Sequence, residues 1–217
     1  MKSLTNLLFF SVTFFLSAPS QAELADISRI FHQTPSLNQL EVCQGGGCAQ
    51  INQISISAAE WGSVAQLFEI KATNSADERQ QISQAIGLLE QLVGTINGTY
   101  EDRAGTFDNS DYQGQLDCND EAINTTTYMR LLKQNGLMQL HEIEDTRTRN
   151  FFFTGWPHST AVIRDIKTGE RFAVDSWFYD NGHDAAVVPF ASWKANYMPS
   201  DSPIGQLSDS NQAVVEK

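Results

Sequence analysis

The hydrophobic pattern changes character along the chain. Residues 23–57 show no sustained period, only short strand-like pieces such as residues 50–56, where apolar and polar positions alternate. Ser57-Ala58-Ala59-Glu60 then has the form of a capping box, with Ser57 as N-cap and Glu60 three positions on. A helix is expected from there to about residue 69, burying Trp61, Val64, Leu67 and Phe68. Ser75-Ala76-Asp77-Glu78 repeats the capping signal, and Ile82, Ile86, Leu89 and Val93 follow at helical spacing. Residues 97–117 read as a polar loop containing Gly98, Gly105 and Gly114. From Cys118 the period is helical again, with Ala122, Met129 and Leu132 toward the core, and Asn135-Gly136 is a stop.

After Gly136 the period shortens. Residues 137–143, 151–154, 160–166 and 171–177 read as strands. Lys167-Thr168-Gly169-Glu170 joins the last two as a hairpin. Helices first and an antiparallel sheet after them predict one α+β domain over residues 23–199. The polar stretch 200–217 lacks a period and is expected to fray.

The first 22 residues stand apart. Met1-Lys2 is followed by an uncharged, mostly apolar run over residues 7–16, then by Ser20-Gln21-Ala22. That order matches a secretory signal peptide cleaved before Glu23. The run is about half the roughly 20 residues that a membrane span needs, so no membrane insertion is expected after its removal. The expected location is periplasmic or secreted.

Charge narrows the partners. The chain carries 14 Lys and Arg against 26 Asp and Glu, a formal net charge of −12. Nucleic acid is excluded as a partner, because phosphate binding needs clustered Lys and Arg. An anionic membrane surface is disfavoured for the same reason.

Three cysteines are an odd number, and an exported chain meets an oxidising compartment. Cys43 and Cys48 enclose Gln44-Gly45-Gly46-Gly47, whose glycines suit the tight reversal of a short disulfide loop. A Cys43–Cys48 bridge is the first expectation; a bridge from Cys118 to either one, or no bridge, is the alternative. With the first pairing Cys118 is the free thiol.

Cys118 falls where a glycine-containing loop meets a helix start. Free N–H groups and the helix dipole there favour an anion, and the thiolate is the nucleophilic form. Asp117, Asp120 and Glu121 oppose this by raising the thiol pKa unless they point away. His158 starts one hairpin strand and Asp175 lies late in the next, so imidazole and carboxylate can meet across the hairpin. The carboxylate would fix the tautomer and leave the other ring nitrogen for a thiol. Of the remaining histidines, His141 reads as structural within a strand and His183 as part of a surface turn. The four histidines show no close zinc-ligand pairing, and there is no G-x-S-x-G elbow, P-loop, H-E-x-x-H or C-x-x-C.

Asp117-Cys118-Asn119-Asp120-Glu121-Ala122, His158-Ser159-Thr160-Ala161-Val162 and Val174-Asp175-Ser176-Trp177 together resemble the three core motifs of the transglutaminase-like superfamily. The exported bacterial transglutaminase-like cysteine peptidases are the nearest group, over residues 110–180. The resemblance implies a papain-like core in which a nucleophile-bearing helix packs on an antiparallel sheet. It implies Cys118 as nucleophile, His158 as general base then acid, and Asp175 as the orienting group. The activity implied is acyl transfer through a thioester, on a protein or peptide substrate and with no required cofactor. A peptidase or amidase is favoured over a cross-linking transglutaminase. A catalytically silent member of the fold, acting as an envelope interaction module, is the alternative from another class.

Papain-like enzymes often take an oxyanion donor from a glutamine upstream of the cysteine. Gln113 and Gln115 are the candidates, neither at the usual spacing. Some relatives bind calcium beside the active site, which makes Asp117 and Asp120, with Asp108 and Asp111, candidate ligands. Four ligands fall short of the six to eight oxygens calcium takes, and a solvated acidic loop capping the helix is the preferred reading.

Overall fold

In the computed structural model the described residues are 29–107, 113–150 and 157–204. The expected signal peptide, the expected strand at 151–154, and Asp108 and Asp111 lie outside them.

After a helical turn at residues 29–32 comes a hairpin of β1 (Leu40–Gln44) and β2 (Gln50–Ile54), paired from Leu40 opposite Ile54 to Gln44 opposite Gln50. Cys43 and Cys48 are disulfide-bonded across its tip. Helix α1 (Ala58–Gln66) starts at the expected capping box, in which Ser57 Oγ accepts from Glu60 N–H and the Glu60 carboxylate accepts from Ser57 N–H. It is three residues shorter than the pattern suggested, yet Val64 and Phe68 are buried.

Helix α2 (Ser75–Asn97) carries the predicted buried stripe of Ile82, Ile86, Leu89 and Val93. Its cap is one residue earlier than expected. Asn74 Oδ1 accepts from the N–H of Ala76 and Asp77, so Ser75 is the first helical residue. Asparagine caps as well as serine, and the shift frees Glu78 from capping to point inward. Gly98 ends the helix with φ 86°, a conformation that costs glycine little.

Helix α3 (Cys118–Gln134) has the bounds the pattern gave, with Ala122, Met129 and Leu132 buried. It lies between the hairpin and a four-stranded antiparallel sheet, touching β1 on one side and the sheet on the other. That sheet has the order β3 (His141–Arg149), β4 (His158–Asp165), β5 (Arg171–Asp175), β6 (Ala186–Pro189). Leu40, Ile82, Leu89, Met129, Leu132, Ile163 and Phe172 belong to one buried cluster. The architecture is α+β, as expected.

Three departures have physical reasons. Residues 137–140 are not strand: the Glu78 carboxylate accepts the N–H groups of Gln139 and Leu140, which removes them from any ladder. Strand β3 therefore begins at His141 and runs past a bulge between Glu144 and Arg147. Strand β6 and the short α4 (Phe190–Lys194) were not foreshadowed, because four and five residues are too few to show a period. Finally, the start of the polar tail is pinned rather than frayed. Ser202 is buried and donates to Phe178 O, and Tyr179 donates to Asp201.

Candidate active site

The site begins at the N-cap of α3. Asp117 Oδ1 accepts from the N–H groups of Asn119 and Asp120, which fixes Cys118 as the first helical residue. Cys118 is free and buried. Against it lies the start of β4. The backbone N–H of Ser159 pulls the Cys118 thiol pKa down, and Ser159 Oγ donates to the Asn119 side chain at 2.8 Å.

His158 and Asp175 meet across the β4–β5 hairpin, with Nε2 to Oδ2 at 2.7 Å and both side chains buried. The carboxylate fixes the proton on Nε2, which leaves Nδ1 as the basic nitrogen. Nδ1 is buried and has no hydrogen-bond partner among the described residues. A buried polar atom without a partner is uncommon, and at a candidate catalytic histidine it is a vacant proton acceptor.

Two residues that the sequence did not single out complete the site. Trp193 Nε1 donates to the same Asp175 Oδ2 at 2.6 Å. Arg149 is buried with its guanidinium 4.8 Å from the Trp193 ring and donates to the Trp193 and Tyr197 carbonyls. Burial lowers its pKa, and the charge of Asp175 works in the opposite direction. Trp177, Phe178 and Trp193 wall the imidazole, with ring centroids 4.4, 5.4 and 5.6 Å away. No local signal could have found Trp193, since it comes from α4, 18 residues beyond its partner.

The electrostatics correct one expectation. The helix start does not make Cys118 a resting thiolate. Burial pushes its pKa up to about 12, and Asp117 and Asp175 add to this against the pull of the Ser159 N–H. The neighbouring acids, in turn, do not all press on the sulfur. Asp117 Oδ2 accepts from Gly47 N–H, and Asp120 accepts from Gly46 and Cys48 N–H, all in the disulfide loop. Burial, reinforced by the charge of Asp117, raises Asp120 to about 7, and those N–H groups oppose the shift.

Glu121 lies in a buried carboxyl group cluster beneath the site. Its pKa is well above normal because of burial, then because of the nearby Asp102 and Glu90. Ser176, next to Asp175, donates to Glu121 and also hydrogen-bonds Glu90. Burial lifts Glu90 to about 8 and Asp102 to about 7.

The remaining candidates are placed as follows. Gln115 commits its amide to the preceding loop: Oε1 accepts from Arg103 N–H and Thr106 Oγ1, and Nε2 donates to Glu101 O. Gln113 lines a polar cleft of about 330 Å³ together with Gln44, Tyr100 and Arg103. Asp117 and Asp120, the candidate calcium ligands, have all four carboxylate oxygens occupied by backbone N–H groups. Among the described residues no cluster of His, Cys, Asp and Glu is arranged to hold a metal. His183 is exposed, stacked on Tyr179 at 4.0 Å.

Compared with known protein families, curated proteins and solved structures, the chain matches none. No helix among the described residues is long and apolar enough to cross a membrane.

Proposed function

We propose that this protein is an exported, thiol-dependent acyl-transfer enzyme, a cysteine peptidase or amidase of the transglutaminase-like kind with a papain-like core. The observation that carries the reading is the vacant Nδ1 of His158. It belongs to an imidazole oriented by Asp175, and the next residue's N–H pulls the Cys118 thiol pKa down.

The reaction follows from that arrangement. The buried thiol keeps its proton until an acyl carbonyl arrives. His158 Nδ1 then takes the proton as Sγ attacks the carbonyl carbon. Asp175 holds the imidazolium through Nε2–H, and Trp193 holds Asp175. Collapse of the tetrahedral adduct passes the Nδ1 proton to the departing amine and leaves a thioester. Water, deprotonated by the same Nδ1, then releases the acid and the thiol. Because the Gln115 amide is engaged elsewhere, the helix-start N–H of Cys118 is the better oxyanion donor. The apolar leader, together with the disulfide, supports export to the periplasm or beyond. Protein and peptide amides are the substrate class.

The burial of Cys118 favours a second reading, a silent member of the fold that binds a partner in the envelope. Alkylation of the folded protein at pH 7 separates the two. The enzyme reading expects His158→Ala to slow Cys118 labelling by about tenfold or more, since the imidazole is then the thiol's base. A labelling rate that ignores His158, together with turnover that survives Cys118→Ala, would sink it.

A further inference from the structure

The disulfide loop is built against the nucleophile's helix turn rather than beside it. Gly45, Gly46, Gly47 and Cys48 all have positive φ, at 88°, 81°, 60° and 60°. Successive left-handed residues turn their N–H groups toward one side and create an anion-binding concavity. Three of those groups are occupied: Gly46 N–H and Cys48 N–H reach Asp120 at 2.8 and 2.6 Å, and Gly47 N–H reaches Asp117 at 2.8 Å. One turn further along α3, Asn124 grips the other arm of the loop. It accepts from Cys43 N–H at 2.6 Å and donates to Cys43 O at 2.9 Å, in a buried position.

Two features make the bridge decisive for this contact. Cys48 is a non-glycine residue in the left-handed region, a conformation its Cβ disfavours without a restraint. Asp120 is wholly buried, so without its N–H partners its carboxylate has to protonate or swing to water. Swinging out unwinds the turn that begins with Cys118. Asp117 and Asp120 belong to the sulfur's own turn, and the charge of Asp175 acts on it from the sheet.

We propose that the Cys43–Cys48 bridge is a redox-sensitive clamp that positions Cys118: oxidised, it holds the loop's N–H groups on Asp117 and Asp120, and reduced, it releases the first turn of α3. The step is an ordinary thiol–disulfide exchange. A dithiol reductant gives two electrons and two protons to the Cys43–Cys48 bond and becomes a disulfide itself, leaving two cysteine thiols. The clamp stands independently of the acyl-transfer reading, since its consequences for the turn need no turnover. If that reading holds, turnover falls on reduction as well.

The test treats the folded protein with dithiothreitol. Amide exchange at residues 118–121 and iodoacetamide labelling of Cys118, read peptide by peptide by mass spectrometry, are then compared with the oxidised protein. Both are expected to accelerate about tenfold or more while far-ultraviolet dichroism stays native, and both reset on reoxidation. Asp120→Asn, with the bridge intact, places an amide N–H against a loop N–H and is expected to accelerate both in the same direction. Rates unchanged within about twofold on reduction overturn the proposal. So does global unfolding on reduction, because the bridge is then a staple of the whole fold and not a clamp on one turn. Amide exchange at residues 118–121 does not involve His158, so failure of the catalytic reading leaves that readout interpretable.

Discussion

The molecule contains two buried histidine–carboxylate pairs of nearly equal geometry. His158 meets Asp175 at 2.7 Å, and His141 meets Glu78 at 2.8 Å. Each histidine is the first residue of its strand. Their remaining valences differ. The second ring nitrogen of His141 faces Arg79 Nη1 at 3.3 Å, and because a guanidinium only donates, that nitrogen accepts. The Glu78 carboxylate also takes the N–H groups of Gln139 and Leu140. Every polar atom of that pair is filled, and the result is a clip between α2 and β3. In the other pair, Nδ1 of His158 has no partner among the described residues, and Ser159, the next residue, lies beside Cys118. A histidine–carboxylate bond therefore does not by itself separate the two pairs; the unfilled nitrogen does.

The comparison breaks most sharply at the histidines. His158→Ala is expected to cut turnover of a peptide amide, per folded molecule, at least about a thousandfold. His141→Ala leaves a buried carboxylate without its partner and is expected to cost about 3–5 kcal/mol of stability, with turnover per folded molecule unchanged. Chemical denaturation and steady-state rates on the two variants measure both effects. If His141→Ala silences a fully folded protein, the assignment of roles is reversed.

The carboxylates repeat the contrast at smaller size. Asp175→Asn is expected to lower turnover about a hundredfold or more, because the amide cannot stabilise an imidazolium. Glu78→Gln instead lowers the unfolding midpoint, by about 1–3 kcal/mol, through weakened bonds to Gln139 and Leu140. Trp193→Phe, which removes one N–H from Asp175, is expected to reduce the rate only about tenfold and to displace its pH profile.

The pH dependence of stability separates the regions again. Burial alone would raise Glu78, but the hydrogen bonds from His141, Gln139 and Leu140 outweigh it and hold the carboxyl below its usual range. A depressed carboxyl stabilises the fold above its unfolded pKa and loses that contribution as pH falls through the folded one. The clip region thus weakens toward acid. Beneath the active site the sign is opposite. Glu90 is raised to about 8 and Asp102 to about 7, chiefly by burial. Raised carboxyls favour the fold below their unfolded pKa, and that advantage is lost as pH climbs through 7 to 8. Melting temperature should therefore fall on both limbs of a pH series, and Glu90→Gln should flatten only the alkaline one. An alkaline limb that Glu90→Gln leaves intact would locate its origin elsewhere.

Much of the skeleton was legible without coordinates. The bounds of α3, the Ser57 capping box, the β4–β5 hairpin and the Cys43–Cys48 bridge all follow from local pattern. The meeting of His158 with Asp175 was legible too, because a hairpin makes near neighbours in sequence into neighbours in space. Strand β6, α4 and the supporting Trp193 and Arg149 were not, since their contacts join segments whose own periods are too short to read.

The sequence by itself determined which residues lie on which face, where α3 begins, and that three cysteines cannot all pair within one chain. Those are consequences of backbone geometry and side-chain type acting over a few residues. Only the tertiary structure decided the ionisation of the free thiol and of the acids around it. Burial pushes the Cys118 thiol up to about 12 and raises the Glu121 carboxyl well above its usual range, while the loop's N–H groups draw Asp117 and Asp120 toward themselves. Desolvation and hydrogen bonding depend on what packs around a group, and distant segments supply that packing.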